Sequence, residues 1–425
     1  MQAGFFKTDI TPTHFPIRTY MREATEVLDP LHARAAAFRQ GETLFAMVAL
    51  DVVIVEAHIV ARIREQAARR CPIPAENILV SGTHNHACPA VIERPSFKRE
   101  DAYIEFMIER AADAVVGACE ALREARLTAA SGFETQASFN RRFVTRDDCV
   151  VTQPGGETLK RVLCNENVID PEVGVLRVTM PDGAMMGLIV NFGCHACHFL
   201  GHLSAGYPGV LCDQLRNRFG ADCGVVFLNG PCANVLHRDY LNPKFEDTKE
   251  RTGRILADRV EKIVADMPAA GTGEDVLSVA SRQIRIPYRN FEEEERRFED
   301  PDVRDNVFQG LIGIGWYDYA ALKEMSRQND GGEDVEIQVF RIGEAVFAAI
   351  PAEYFMEHGL RIKRKSAFAH TYVVSLANGW IGYVPTQEAF QRKGGHETTA
   401  ALWSKMCHEA GDRMADTALE LMREL

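Results

Sequence analysis

Apolar residues recur with two alternating periods along this chain, and that alternation restricts the fold more than any other feature. Glu42–Val55, ETLFAMVALDVVIV, is a β-branched apolar run, and EAHIVARIREQAARR follows it with helical spacing. Glu76–His84, ENILVSGTH, is the next strand-like stretch. Glu100–Ala125, EDAYIEFMIERAADAVVGACEALREA, repeats apolar residues at three- and four-residue intervals and predicts a long helix. Strand–helix–strand exchange of this kind implies an α/β fold, here a layered αββα-type arrangement of mixed β-sheets flanked by helices. Further on, Val173–His195 predicts a hairpin turning at Pro181-Asp182-Gly183, and Val335–Glu353 predicts another. CGVVFLNGPC is a short buried strand, and GDRMADTALELMREL a closing helix.

With 425 residues and 46% hydrophobic residues, the chain can bury a large core as one catalytic unit. We read residues 1–425 as a single domain without internal repeat. An insertion or lid-like segment spans about 282–332, where charged NFEEEERRFEDPDVRD is followed by apolar, glycine-broken FQGLIGIGWYDYAALKE. The formal net charge of −12 argues against nucleic-acid or anionic membrane partners, since both select for excess Lys and Arg. No apolar run reaches the roughly eighteen residues of a membrane span. The 11 cysteines are scattered in apolar company, and Asp9 and Pro12 stand where an export signal would need an apolar stretch. Reduced thiols and a cytoplasmic location are the expectation. A small-molecule substrate is expected, and a homo-oligomer stays open.

Polar groups that follow apolar strands are the candidates for chemistry, because strand ends in α/β folds carry functional loops. ILVSGTHNHACPA places His84 and His86 one residue apart, and in extended backbone both would share a face. His195 follows LIVNFGC, Glu353 follows VFAAIPA, and Tyr383 lies in SLANGWIGY. An ionisable residue so placed needs a partner against desolvation, and zinc, which accepts imidazole and carboxylate, would serve all of them. Spacing alone leaves two readings open: a zinc site, or ordinary hydrogen-bonded histidines without a local HExxH-type signature.

CHACHFLGH suggests a different metal arrangement through Cys194, Cys197, His198 and His202, but no second Cys-x2-Cys pair completes it. Buried thiols beside one functional histidine are the simpler reading, with His202 and His237 at the surface or behind the ligands. Phosphate-binding glycine loops and a Gly-x-Ser-x-Gly elbow are absent. Arg141 and Arg142 form a compact basic point in ASFNRRFV, read either as salt-bridged or as a binder of substrate anion or oxyanion.

Taken in order, GFFKTDITP, DPLHARA, VALDVV, NILVSGTHNHACP, FNRR, VNFGCHACH, AGYPGVL, VFLNGPCANV, AAIPAEYF and NGWIGYVPT resemble the neutral/alkaline non-lysosomal ceramidase family. The resemblance covers that family's N-terminal catalytic domain and leaves no stretch for its C-terminal immunoglobulin-like domain. It implies zinc ligands at His84, His195, Glu353 and Tyr383, with His86 handling the proton of a zinc-activated water. It places Asn140-Arg141 on the substrate side, with Arg141 toward the oxyanion, and implies zinc-assisted hydrolysis of an amide. Departures touch the substrate side. GPCANVLH replaces the family's Gly-Asp-x-Ser/Asn-Pro, so Asn234 takes the aspartate's place, while Trp380 and His396 stand where tyrosines are usual. The expected function is therefore a zinc amidohydrolase on a small soluble substrate. The competing readings are a lactonase or esterase on a polar sugar-derived acid, and an inactive metal-binding or scaffold protein.

Overall fold

The computed structural model describes residues 1–20, 22–93, 98–198, 201–268, 276–299 and 319–425. It is a mixed α/β protein whose described residues form four sheets of four or five strands, and three of these repeat one connection scheme. In the first sheet, Gln2–Asp9, His32–Gln40 and Thr43–Leu50 run antiparallel in turn. Helix Ala57–Ala68 then crosses over to Ile78–Gly82, which lies parallel to Thr43–Leu50. In the second sheet the same roles fall to Arg126–Phe133, Glu172–Thr179 and Met185–Phe192, then helix Gly206–Phe219 and strand Gly224–Asn229. In the third they fall to Leu277–Pro287, Gly332–Ile342 and Ala345–Ile350, then helix Met356–Lys365 and strand His370–Ser375. Each unit ends in a further helix, Asp101–Glu120, Lys249–Asp266 or Ala410–Glu424. This recurrence of topology has no counterpart in the amino-acid sequence.

Two-residue periodicity explains how the sheets share a core. In Thr43–Leu50 the side chains of Phe45, Met47 and Ala49 face the central core, while Leu44, Ala46, Val48 and Leu50 face the first unit's two helices. The central core also takes Leu176, Ile189 and Leu228 from the second sheet and Phe340, Phe347 and Tyr372 from the third. Helices cover the outer faces, so the layer order through two sheets is helix, sheet, sheet, helix. Phe45 and Phe340 meet across sheets at 5.0 Å between ring centroids. Burying one such ring is worth about 1.5–3 kcal/mol.

The predicted hairpins are present, with Gly183 at φ 91° in the first turn. Of the segment 282–332, residues 282–287 finish a strand of the third sheet, and Phe291–Phe298 and Tyr319–Gln328 are helices. Most of FQGLIGIGWYDY lies outside the described residues. No described helix is long and apolar enough to cross a membrane. All 11 cysteines are free thiols, and seven of them are buried.

Because the last two strands of each unit run parallel, their carboxyl ends point the same way, and the loops that leave them converge. Those loops begin near Asp51 and His84 in the first unit, His195 and Cys232 in the second, and Glu353 and Asn378 in the third. A glycine permits one close crossing. A Cβ on Gly193 would stand 2.4 Å from the Pro231 carbonyl oxygen, so only glycine lets these two loops pass. That crossing brings the Cys232 carbonyl to the His195 ring.

Candidate metal centre

Strand Ile78–Gly82 stops one residue before the THNH motif, and His84 adopts the left-handed region at φ 64°. The extended backbone expected through His84 and His86 is therefore not the geometry found. Three backbone hydrogen bonds hold the turn instead, from Thr83 to Leu50, Asn85 to Val52 and His86 to Ala196. A left-handed non-glycine residue is costly and persists where its surroundings over-determine it. The Asn85 amide adds to the restraint by donating to the Asp51 and Ser204 carbonyls.

Both imidazoles still reach one point. His84 Nε2 lies 2.9 Å from His195 Nε2 and 3.4 Å from His86 Nε2, and 3.4 Å from Glu353 Oε2. His84 Nδ1 meets the Val53 carbonyl at 2.8 Å, and His195 Nδ1 meets the Cys232 carbonyl at 3.3 Å. A carbonyl can only accept, so both Nδ1 atoms carry hydrogen, and a neutral ring of this tautomer presents its Nε2 lone pair to the centre. Burial, then the Arg141 charge, pushes the His195 ring well below its ordinary pKa, which keeps it neutral.

The oxygen donors come from the third unit. Glu353 and Tyr383 are direct partners in a short parallel pair, so backbone register sets their side chains next to each other. Burial would raise the Glu353 carboxyl, but the neighbouring His84, Tyr383 and Trp380 groups outweigh it and hold it at about 2. Trp380 Nε1 donates to Glu353 Oε1 at 3.0 Å, which fixes the carboxylate's orientation, while Glu353 Oε2 is buried with no hydrogen-bond donor among the described residues. Burial, followed by the Glu353 charge, raises the Tyr383 phenol well above its usual value.

Arg141 lies beneath Tyr383. Its Nη2 donates to the phenol oxygen at 3.1 Å, and its Nε is 2.9 Å from Glu397 Oε1. Arg142, fully buried, is gripped by Glu166 on one side and by Glu397 Oε2 at 2.7 Å on the other. The two arginines therefore divide the roles left open by the sequence. Arg142 is a structural ion pair, and Arg141 reaches the site. His396 stands at the rim, its ring 5.4 Å from that of Tyr383 and stacked on Trp403.

Asn140 and Asn234, expected on the substrate side, have side chains engaged elsewhere. Asn140 Oδ1 accepts from the Arg142 amide, and its Nδ2 donates to the Val168 carbonyl. Asn234 Nδ2 donates to both oxygens of Glu357, its Oδ1 accepts from the Met356 amide, and its own carbonyl accepts from the Arg141 amide. They hold the backbone that carries Arg141 and the helix after Glu353.

Reading the sequence residue by residue missed Glu397 and a second cluster. Glu397 neighbours His396, so proximity to a chosen residue was its only signal. His237, expected at the surface or behind the ligands, is 3% exposed and stacks on His198, with Asp247 beside both. His202, by contrast, is partly exposed near Glu26.

No protein-family model matches the chain, and no curated protein matches it either. Solved structures do. The neutral ceramidase from Pseudomonas aeruginosa superposes with a TM-score of 0.73 at 16% identity, covering 99% of this chain and 74% of that one. A ceramidase complexed with C2 gives 0.74 at 16% identity, covering 100% and 75%. Over nearly its whole length, the chain has the fold of these neutral ceramidase structures.

Proposed function

We propose that this protein is a zinc-dependent hydrolase that cleaves an amide bond of a small soluble substrate, with His84, His195, Glu353 and Tyr383 holding the ion. The observation that carries this reading is the convergence of acceptors. Two imidazole lone pairs and an undonated carboxylate oxygen face one another within 2.9–3.4 Å in a buried space. A proton on one Nε2 relieves a single contact at a time, whereas a cation relieves all of them. Two nitrogens, a carboxylate and a phenol oxygen are a donor set that suits zinc. The neutral ceramidase fold, whose named members act on ceramide amides, agrees with it.

Bound there, zinc would supply Lewis acidity toward the carbonyl and lower the pKa of water toward neutrality. The protein's own residues do the rest. His86 is 9% exposed against 1% for His84 and His195, so it is the histidine able to pass a proton between the centre and solvent. Arg141 keeps a positive charge beside the Tyr383 oxygen, on the side where negative charge develops as water adds to the carbonyl. Trp380 keeps Glu353 aimed at the centre.

Elemental analysis of the purified protein, with a panel of activated amide, ester and lactone probes, tests the reading. We expect one equivalent of zinc at this centre and amide turnover. Alanine at His84 or His195 removes both, His86→Ala keeps metal and loses rate, and Arg141→Ala keeps metal and loses turnover. Full metal in the His84→Ala/His195→Ala double variant overturns the ligand assignment. Turnover of lactones alone moves the protein to the lactonase class.

A further inference from the structure

We propose that His198, His237 and Asp247 form a second binding site for a divalent transition-metal ion, separate from the one above and independent of the amidase reading. All three lie in the loops that leave the parallel strands of the second unit, the same structural position that supplies Glu353 and Tyr383 in the third. Their ligand-capable atoms fall within 4.8 Å of one another. His237 Nδ1 is 2.6 Å from Asp247 Oδ1, and His198 Nε2 is 3.6 Å from the same oxygen. The two imidazoles stack with centroids 3.5 Å apart and planes at 16°.

Their hydrogen bonding is incomplete. His198 and His237 are 6% and 3% exposed, yet both ring nitrogens of His198 and Nε2 of His237 have no hydrogen-bond partner among the described residues. Stranding a buried donor or acceptor costs about 1–3 kcal/mol, so three stranded nitrogens in two adjacent rings call for a ligand. Stacking supplies none, because it leaves in-plane nitrogen lone pairs unused. Two imidazoles and one carboxylate are the nitrogen and oxygen set of zinc-class ions. Ligand atoms about 2.0–2.1 Å from a tetrahedral ion stand about 3.3 Å apart. The His198–Asp247 separation of 3.6 Å already fits this edge. The His237–Asp247 contact has to open, and one of the two near-parallel rings has to turn so that both lone pairs meet one ion; the Asp247 side chain, 27% exposed, has room to turn. The nearby Lys249 ammonium is paired with Asp29, which offsets part of its repulsion of a cation.

Cobalt(II) is the probe. The full-length His84→Ala/His195→Ala chain, silenced at the first centre, should bind one equivalent with the visible absorption of a nitrogen–oxygen tetrahedral site. Adding Asp247→Asn should weaken that binding more than about 10-fold. In the wild-type background, where neither buried histidine is disturbed, Asp247→Asn should lower the metal count from two to one. A fall from one to none would keep this site and remove the first. A silenced chain that binds no cobalt while retaining its circular dichroism overturns the proposal, as does a wild-type metal count unchanged by Asp247→Asn.

Discussion

Replacing Glu397 by glutamine tests the electrostatic base of the candidate site. Glu397 is fully buried, accepts from Arg142 Nη1 and Thr152 Oγ1 at 2.7 Å each, and faces Arg141 Nε at 2.9 Å. Glutamine keeps the volume but removes the charge, leaving two buried guanidiniums with Glu166 alone as a neighbouring carboxylate. Burial would raise the Glu397 carboxyl, but Arg141 and Arg142 prevail and hold it at about 2 against an ordinary 4.5. A depression of this size corresponds to about 3 kcal/mol of stability at pH 7, at 1.36 kcal/mol per pH unit. Breaking a buried ion pair costs about 3–5 kcal/mol, which agrees. Because the folded value is depressed, the contribution is complete above pH 4.5 and is lost as pH falls from there toward 2. Urea unfolding of wild type and Glu397→Gln should therefore differ by about 3 kcal/mol at pH 7, and the gap should shrink to less than half near pH 3. Equal stability at pH 7, or a gap that ignores pH, refutes the reasoning.

Other perturbations follow from single contacts. Trp380→Phe removes the indole N–H from Glu353 and should weaken zinc binding about 10-fold, as metal titration would show, while leaving the unfolding midpoint of the metal-free protein in place. Gly193→Ala drives a Cβ against the Pro231 carbonyl and should destabilise the fold by about 1–3 kcal/mol in urea, with loss of metal as His195 shifts. Chelation of the metal should lower the thermal midpoint of wild type, and re-addition of zinc should restore it, because an ion that binds only the folded state stabilises that state.

Much of the architecture was legible because it is written in local periods. Thr43–Leu50, Ile78–Gly82, Asp101–Glu120 and both hairpins follow directly from two- and 3.6-residue apolar spacing. The positions of His84, His195 and Glu353 were legible for a related reason, since each polar group interrupts the end of an apolar strand. What periodicity does not carry is the conformation of a single residue. His84 sits at φ 64° because Val52, Leu50 and Ala196 capture the amides around it, and those partners are fixed only by tertiary structure. The three-fold recurrence of topology escaped for the same reason. It is a regularity of strand order and direction, and the three units share no residue pattern that would announce it.

The choice of partner for each charge was the least legible part, and the two arginines show why. Arg141 and Arg142 are adjacent in sequence and identical in type, yet one contacts the Tyr383 phenol and the other is sealed between Glu166 and Glu397. Arg141 lies in the one-residue break between strands Phe139–Asn140 and Arg142–Thr145, and although both guanidiniums meet Glu397, only Arg141 reaches the phenol. The backbone there is held by Asn140, whose Oδ1 accepts from the Arg142 amide, and by Asn234, whose main-chain carbonyl accepts from the Arg141 amide. Two asparagines read from sequence as substrate contacts thus govern the site from behind, by fixing which arginine faces it.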